Sequence, residues 1–106
     1  ITIESMKHLL FLSILCSLIV FNNCSTDSAE DYYDKGIIKG GLKDYYGAIS
    51  DFNKVIEIDP NSALAYFHRG GAKVNINDLS GACSDWQKAV DLGNTDAAKL
   101  VSNYCN

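Results

Sequence analysis

AEDYYDKGIIKGGLKDYYGAISDFNKVIEIDPNS, residues 29–62, is followed without a gap by ALAYFHRGGAKVNINDLSGACSDWQKAVDLGNTD, residues 63–96. The two stretches are one 34-residue unit written twice. Tyr32, Gly36, Asp44, Gly47, Ala48, Ser50, Asp51, Phe52 and Lys54 return 34 positions later as Tyr66, Gly70, Asp78, Gly81, Ala82, Ser84, Asp85, Trp86 and Lys88. Val55 and Ile58 return as Ala89 and Leu92. Self-similarity at such a period is the signature of a helical solenoid, a stacked array of helical hairpins in which no unit buries its apolar face alone.

Within the first unit Ser28 stands as an N-cap, and Asp31, three residues on, completes a capping box. Tyr32, Tyr33, Gly36 and Ile37 recur at spacings of three and four, which gathers them on one helical face. Asp44 is placed to cap a second helix whose apolar side is Ala48, Ile49, Phe52, Val55 and Ile56, and Pro60 ends it because the residue before a proline resists helical geometry. The second unit repeats this order with Leu64, Tyr66, Phe67 and Gly70, then Asp78 as cap, then Ala82, Cys83, Trp86, Ala89 and Val90. Gly93 closes it as a left-handed C-cap, and Thr95 or Asp96 opens a last helix with Ala97, Leu100, Val101 and Tyr104 on its apolar side. Residues 97–106 are therefore expected to cover the open end of the stack. The whole is read as all-α, and Lys35–Asp51 and Arg69–Asp85, each sixteen residues apart, are expected ion pairs between the two helices of a unit.

Residues 1–23 read differently. Met6 is taken as the start, Lys7 and His8 as a short polar head, and Leu9–Phe21 as an apolar run of thirteen residues. That is shorter than the roughly 20 residues needed to span a bilayer, and the pattern is that of an export signal. The junction Ile19–Ser25 resembles a bacterial lipoprotein signal, which implies that Cys24 becomes an acylated first residue, with Asn23 in place of the usual small residue. Two acyl chains suffice for stable anchoring. The alternative is ordinary cleavage that leaves Cys24 as a thiol. Residues 24–28 then form a polar tether, and the repeats stand in the periplasm or at the cell surface.

The repeated residues carry a second resemblance. An aromatic at Tyr32 and Tyr66, a small residue at Gly36 and Gly70, alanine at Ala48 and Ala82, a large aromatic at Phe52 and Trp86, and Pro60 after the second helix are similar to the tetratricopeptide repeat family. Val55 and Asn94 depart from it, standing where alanine and proline are usual. The resemblance implies a short right-handed solenoid in which the first helix of each unit lines a concave face, here Glu30, Tyr33, Ile37, Leu64, Phe67, Val74 and Asn75, which docks a protein or peptide. The basic and amide side chains that clamp a terminal carboxylate in some relatives are replaced by Tyr33 and Ile37.

Against this, chemistry is sparse. His68 is the one histidine outside the leader, and it has no metal-ligand or nucleophile partner at a recognisable spacing, so no catalysis, metal or cofactor is expected. Nine basic and thirteen acidic residues, with the bases scattered singly, argue against nucleic acid as a partner. Cys83 and Cys105 lie eleven residues on either side of Asn94, which puts them level on antiparallel helices. They are a candidate disulfide, the alternative being two thiols at helix contacts. The expected function is a non-catalytic docking module of the bacterial envelope. Self-association by end-to-end stacking, and service as an accessory subunit of an envelope enzyme or assembly machine, are the alternatives.

Overall fold

A computed structural model describes residues 26–106. The expectations for Met6, the apolar run, cleavage and Cys24 fall outside the described residues. Those described form five helices and no strand: α1 (Ala29–Gly41), α2 (Tyr45–Ile58), α3 (Ala63–Asn75), α4 (Leu79–Asp91) and α5 (Thr95–Tyr104). Each packs against the next in sequence, while α1 and α3 meet only weakly.

Every helix start is held by a side chain. Ser28 Oγ accepts the Asp31 amide at 3.2 Å while Asp31 Oδ2 accepts the Ser28 amide at 2.8 Å, a reciprocal capping box. Asp44 Oδ1 accepts the Gly47 amide at 3.0 Å, and Asp78 Oδ1 accepts the Gly81 amide at 2.9 Å, 34 residues further on. Ser62 caps α3 through the Ala65 amide, and Asn94 caps α5 through the Ala97 amide. With Asn94 as cap, the last helix starts at Thr95, one of the two starts read from the sequence.

The ends of α1, α4 and α3 share one geometry. Lys43 and Asn77 both sit at φ 64° and Gly93 at φ 96°, in the left-handed region. The amide after each donates 2.9 Å back into its helix: Asp44 to Lys39 O, Asp78 to Lys73 O, and Asn94 to Ala89 O. This is a Schellman ending in which the last residue of the motif is also the N-cap of the next helix, so one residue closes one rod and opens its neighbour. The α2–α3 connection is different. Asp59 Oδ1 accepts the Asn61 amide at 3.1 Å beside Pro60, a turn that needs no left-handed residue.

Two apolar clusters follow from the packing. Ala48, Phe52 and Ala72 join α2 to α3, with Tyr33, Tyr45 and Ile49 around them. Ala82, Trp86, Ala89 and Ala97 join α4 to α5, with Tyr66, Phe67, Leu100 and Val101 at the margin. Glycines set the approach inside each hairpin: a Cβ at Gly36 would lie 2.8 Å from the Phe52 ring, and one at Gly70 would lie 2.6 Å from Trp86 Nε1. The Trp86 ring is fixed by its N–H, which donates to Phe67 O at 3.2 Å.

The ion pairs differ from the expectation in one place. Arg69 forks onto Asp85 at 2.6 and 2.8 Å, and Lys73 reaches the same carboxylate at 2.9 Å. Asp51 is held at 2.7 Å by Lys39 instead of Lys35, and Lys35 pairs with Asp27 at 3.0 Å. A lysine lacks the length and the fork of arginine, so at the position equivalent to Arg69 it cannot match that bidentate reach, and the cation one turn later takes the carboxylate. Asp51 Oδ2 receives no well-directed hydrogen bond, only the Lys39 charge. Arg69 also donates to Asn53 Oδ1 at 2.9 Å, which ties α3 to α2.

Candidate functional site

The face lined by α1, α3 and α5 carries three open hollows. The first, about 320 Å³, lies between α1, α2 and α3, with Gly36, Ile37, Gly40, Phe52, His68 and Gly71 in its lining. The second, about 250 Å³, lies toward the starts of α1 and α3 and is bounded by Glu30, Tyr33, Val55 and Leu64. The third, about 340 Å³, is walled by Gly71, Val74, Trp86, Leu100 and Tyr104. Gly71 borders both the first and the third, and beyond its chain neighbours and its own helix backbone no heavy atom stands within 4 Å of where its Cβ would be.

The seven residues assigned to the concave face are thus divided. Glu30, Tyr33 and Leu64 share the second hollow, Ile37 and Asn75 line the first, and Val74 lines the third. Phe67 lines none of these three hollows and packs instead against the Trp86 cluster. The Asn75 amide donates to Gly71 O at 2.9 Å, one turn back on its own helix, and so is not aimed at a ligand.

His68 has a role the sequence reading did not give it. Its ring stacks on Phe52 at 5.9 Å between centroids and meets Tyr33 and Phe67 edge-on at 5.7 and 5.1 Å. The signal for this was available, since His68 lies one helical turn before Ala72 and thus on the side facing the first hairpin. Burial favours the uncharged imidazole and lowers its pKa below 6.5. Burial, and then the charge of Asp34, push the Tyr33 phenol above its ordinary 10.0. These rings make an apolar floor with polar edges. Among the described residues no three His, Cys, Asp or Glu side chains gather to hold a metal ion, and no helix is long and apolar enough to cross a membrane.

Cys83 on α4 and Cys105 at the end of α5 are joined by a disulfide with their Cα atoms 5.6 Å apart. The bond fixes α5 over α4 and thereby shapes the third hollow. Comparison with known proteins finds no family model and no curated protein that matches the chain.

Proposed function

We propose that the chain is a non-catalytic docking module of tetratricopeptide type, two hairpins and a covering helix in a short solenoid, exported and held to the bacterial envelope through an acylated Cys24. The observation that carries this reading is the coincidence of two periods. The 34-residue repeat of the sequence returns in the backbone as paired caps at Asp44 and Asp78, paired left-handed residues at Lys43 and Asn77, and paired glycines under Phe52 and Trp86. The three apolar hollows suit a peptide that places bulky apolar side chains on either side of Gly71, whose missing Cβ lets a ligand backbone lie close to α3. The Cys83–Cys105 bond supports export, since such bonds persist in oxidising compartments.

Peptide display on the purified chain tests the docking face, with Gly71→Glu as the blocking variant. The open space at Gly71 admits the side chain without disturbing the helix, and glutamate is a better helix former than glycine. Selected peptides are expected to carry two apolar anchors and to lose at least about tenfold in affinity for the variant, the effect of about 1.4 kcal/mol. Equal binding to both proteins would remove the face from consideration. Cys24→Ser is expected to move the protein from the membrane to the soluble fraction, and unchanged partition would rule out acylation there.

A further inference from the structure

The internal repeat allows one half of the molecule to be compared with the other. On α3 His68 and Ala72 turn toward the first hairpin, and Ile76 at its C-cap continues their spacing: His68 stacks on Phe52, and Ala72, 7% exposed, packs with Ala48 and Phe52. The same stripe one unit earlier is Asp34 and Ile38 on α1 and Leu42 at its C-cap, where no hairpin precedes it among the described residues. Ile38 is 61% exposed and Leu42 76%, and with Tyr46 at 73% they are the most exposed large apolar side chains described. At the other end of the fold α5 covers α4 and turns Asp96, Lys99, Ser102 and Asn103 to solvent. Among the described residues the α1 end thus carries the most exposed apolar stripe, and a second copy can meet it with its own.

We propose that two copies of this chain associate head to head through the Asp34–Ile38–Leu42 stripe, with their α1 helices antiparallel about a two-fold axis. A two-fold interface requires a self-complementary surface. Helix α1 and the turn after it supply one, with Asp34 toward the start of the stripe and Lys43 just beyond Gly41 at its end. Antiparallel pairing sets Ile38 against Ile38 of the second copy and brings Lys43 over Asp34 of the second copy. Both charges are exposed, and neither enters the ion pairs of the first hairpin, Lys35–Asp27, Lys39–Asp51 and Lys54–Glu57. The contact lies on a different face from the three hollows, so docking of a peptide and pairing of copies are separable.

The test is sedimentation of the full chain in mild detergent, with circular dichroism on each variant to verify helix content. Wild type and Ser102→Asp are expected to sediment as dimers. Ile38→Asp, which sets two carboxylates face to face, is expected to weaken the dimer by about a hundredfold or more at unchanged helicity. Asp34→Lys and Lys43→Asp are each expected to weaken it, and the two together to restore it, an outcome that only an opposed Asp34–Lys43 contact produces. A monomeric wild type, a dimer indifferent to Ile38→Asp, or a double variant no better than the single ones would each overturn the proposal.

Discussion

At Gly36 and Gly70 a single missing Cβ decides how close two helices lie, but the two sites differ in what would have to move. An alanine at Gly70 meets Trp86 Nε1 at 2.6 Å and Ala82 O at 3.2 Å, a ring held by its hydrogen bond to Phe67 O and a backbone atom. At Gly36 the three nearest atoms all belong to the Phe52 ring, which has no such bond and borders an open hollow. Gly70→Ala is therefore expected to destabilise by about 1–3 kcal/mol, and Gly36→Ala by under about 1 kcal/mol because the gain in helix propensity offsets a smaller shift. Urea unfolding of the two variants measures the difference directly. His68 gives a pH prediction. The folded chain holds the imidazole proton less tightly than the unfolded chain does, so the unfolded state gains protons first as the pH falls. Stability from this residue is full above 6.5, declines as the pH drops through that value, and levels below the lowered folded pKa. His68→Leu is expected to flatten that part of a urea-midpoint profile between about pH 8 and 5, and an unchanged slope would show that the ring is solvated. The sequence placed Arg69 on Asp85 but misplaced Lys35, because spacing along antiparallel helices gives height to about one turn and cannot distinguish Lys35 from Lys39.

The helices themselves were legible because their starts are written in side chains: Ser28, Asp44, Ser62 and Asp78 each sit one residue ahead of a helix and each takes an amide, while Asn94, which caps α5, was read only as the centre of its turn. Their ends were less so. Lysine at Lys43 carries no local sign of a positive φ, and only its alignment with Asn77 places it at the left-handed end of a Schellman turn. Helix α5 shows what an element needs beyond its caps. Ten residues are too few for a helix to persist alone, so α5 depends on burying Ala97 against α4 and on the Cys83–Cys105 bond. The bond closes a loop of 22 residues, which corresponds to about 3 kcal/mol on the chain-entropy estimate. Cys105→Ser is expected to lower the unfolding free energy by about that amount. In hydrogen exchange the α5 amides should lose protection first, with those of α2 and α3 little changed. Loss spread evenly over all five helices would mean that the molecule unfolds as one unit whether or not α5 is stapled.

That each helix packs against the next was legible from the 34-residue period, whereas the form of the apolar hollows beside α3 was not. A continuous groove follows only if every first-helix aromatic turns the same way, and Phe67 turns to the Trp86 cluster while Gly71 divides the space beside it into two hollows. Side-chain direction at that level is set by neighbours that the repeat pattern does not specify. The same neighbour logic governs how stability is distributed. In a one-dimensional stack each element has an intrinsic term and an interface term with the elements beside it. Helix α3 lies between α2 and α4, sends Arg69 to Asn53 on one side and to Asp85 on the other, and contributes Ala72 to one cluster and the Phe67 ring to the next. Helix α1 has α2 as its main neighbour and leaves Ile38 and Leu42 in solvent. In the Ile38→Asp variant, expected to weaken any pairing between copies, native-state amide exchange is expected to be slowest in α3 and α4 and faster in α1 despite its capping box. In the wild type α1 protection should rise with protein concentration while that of α3 stays fixed, because only α1 gains a neighbour on association. Equal protection of α1 and α3 in the variant would mean that the single interface with α2 already holds the first hairpin as firmly as two interfaces hold the second.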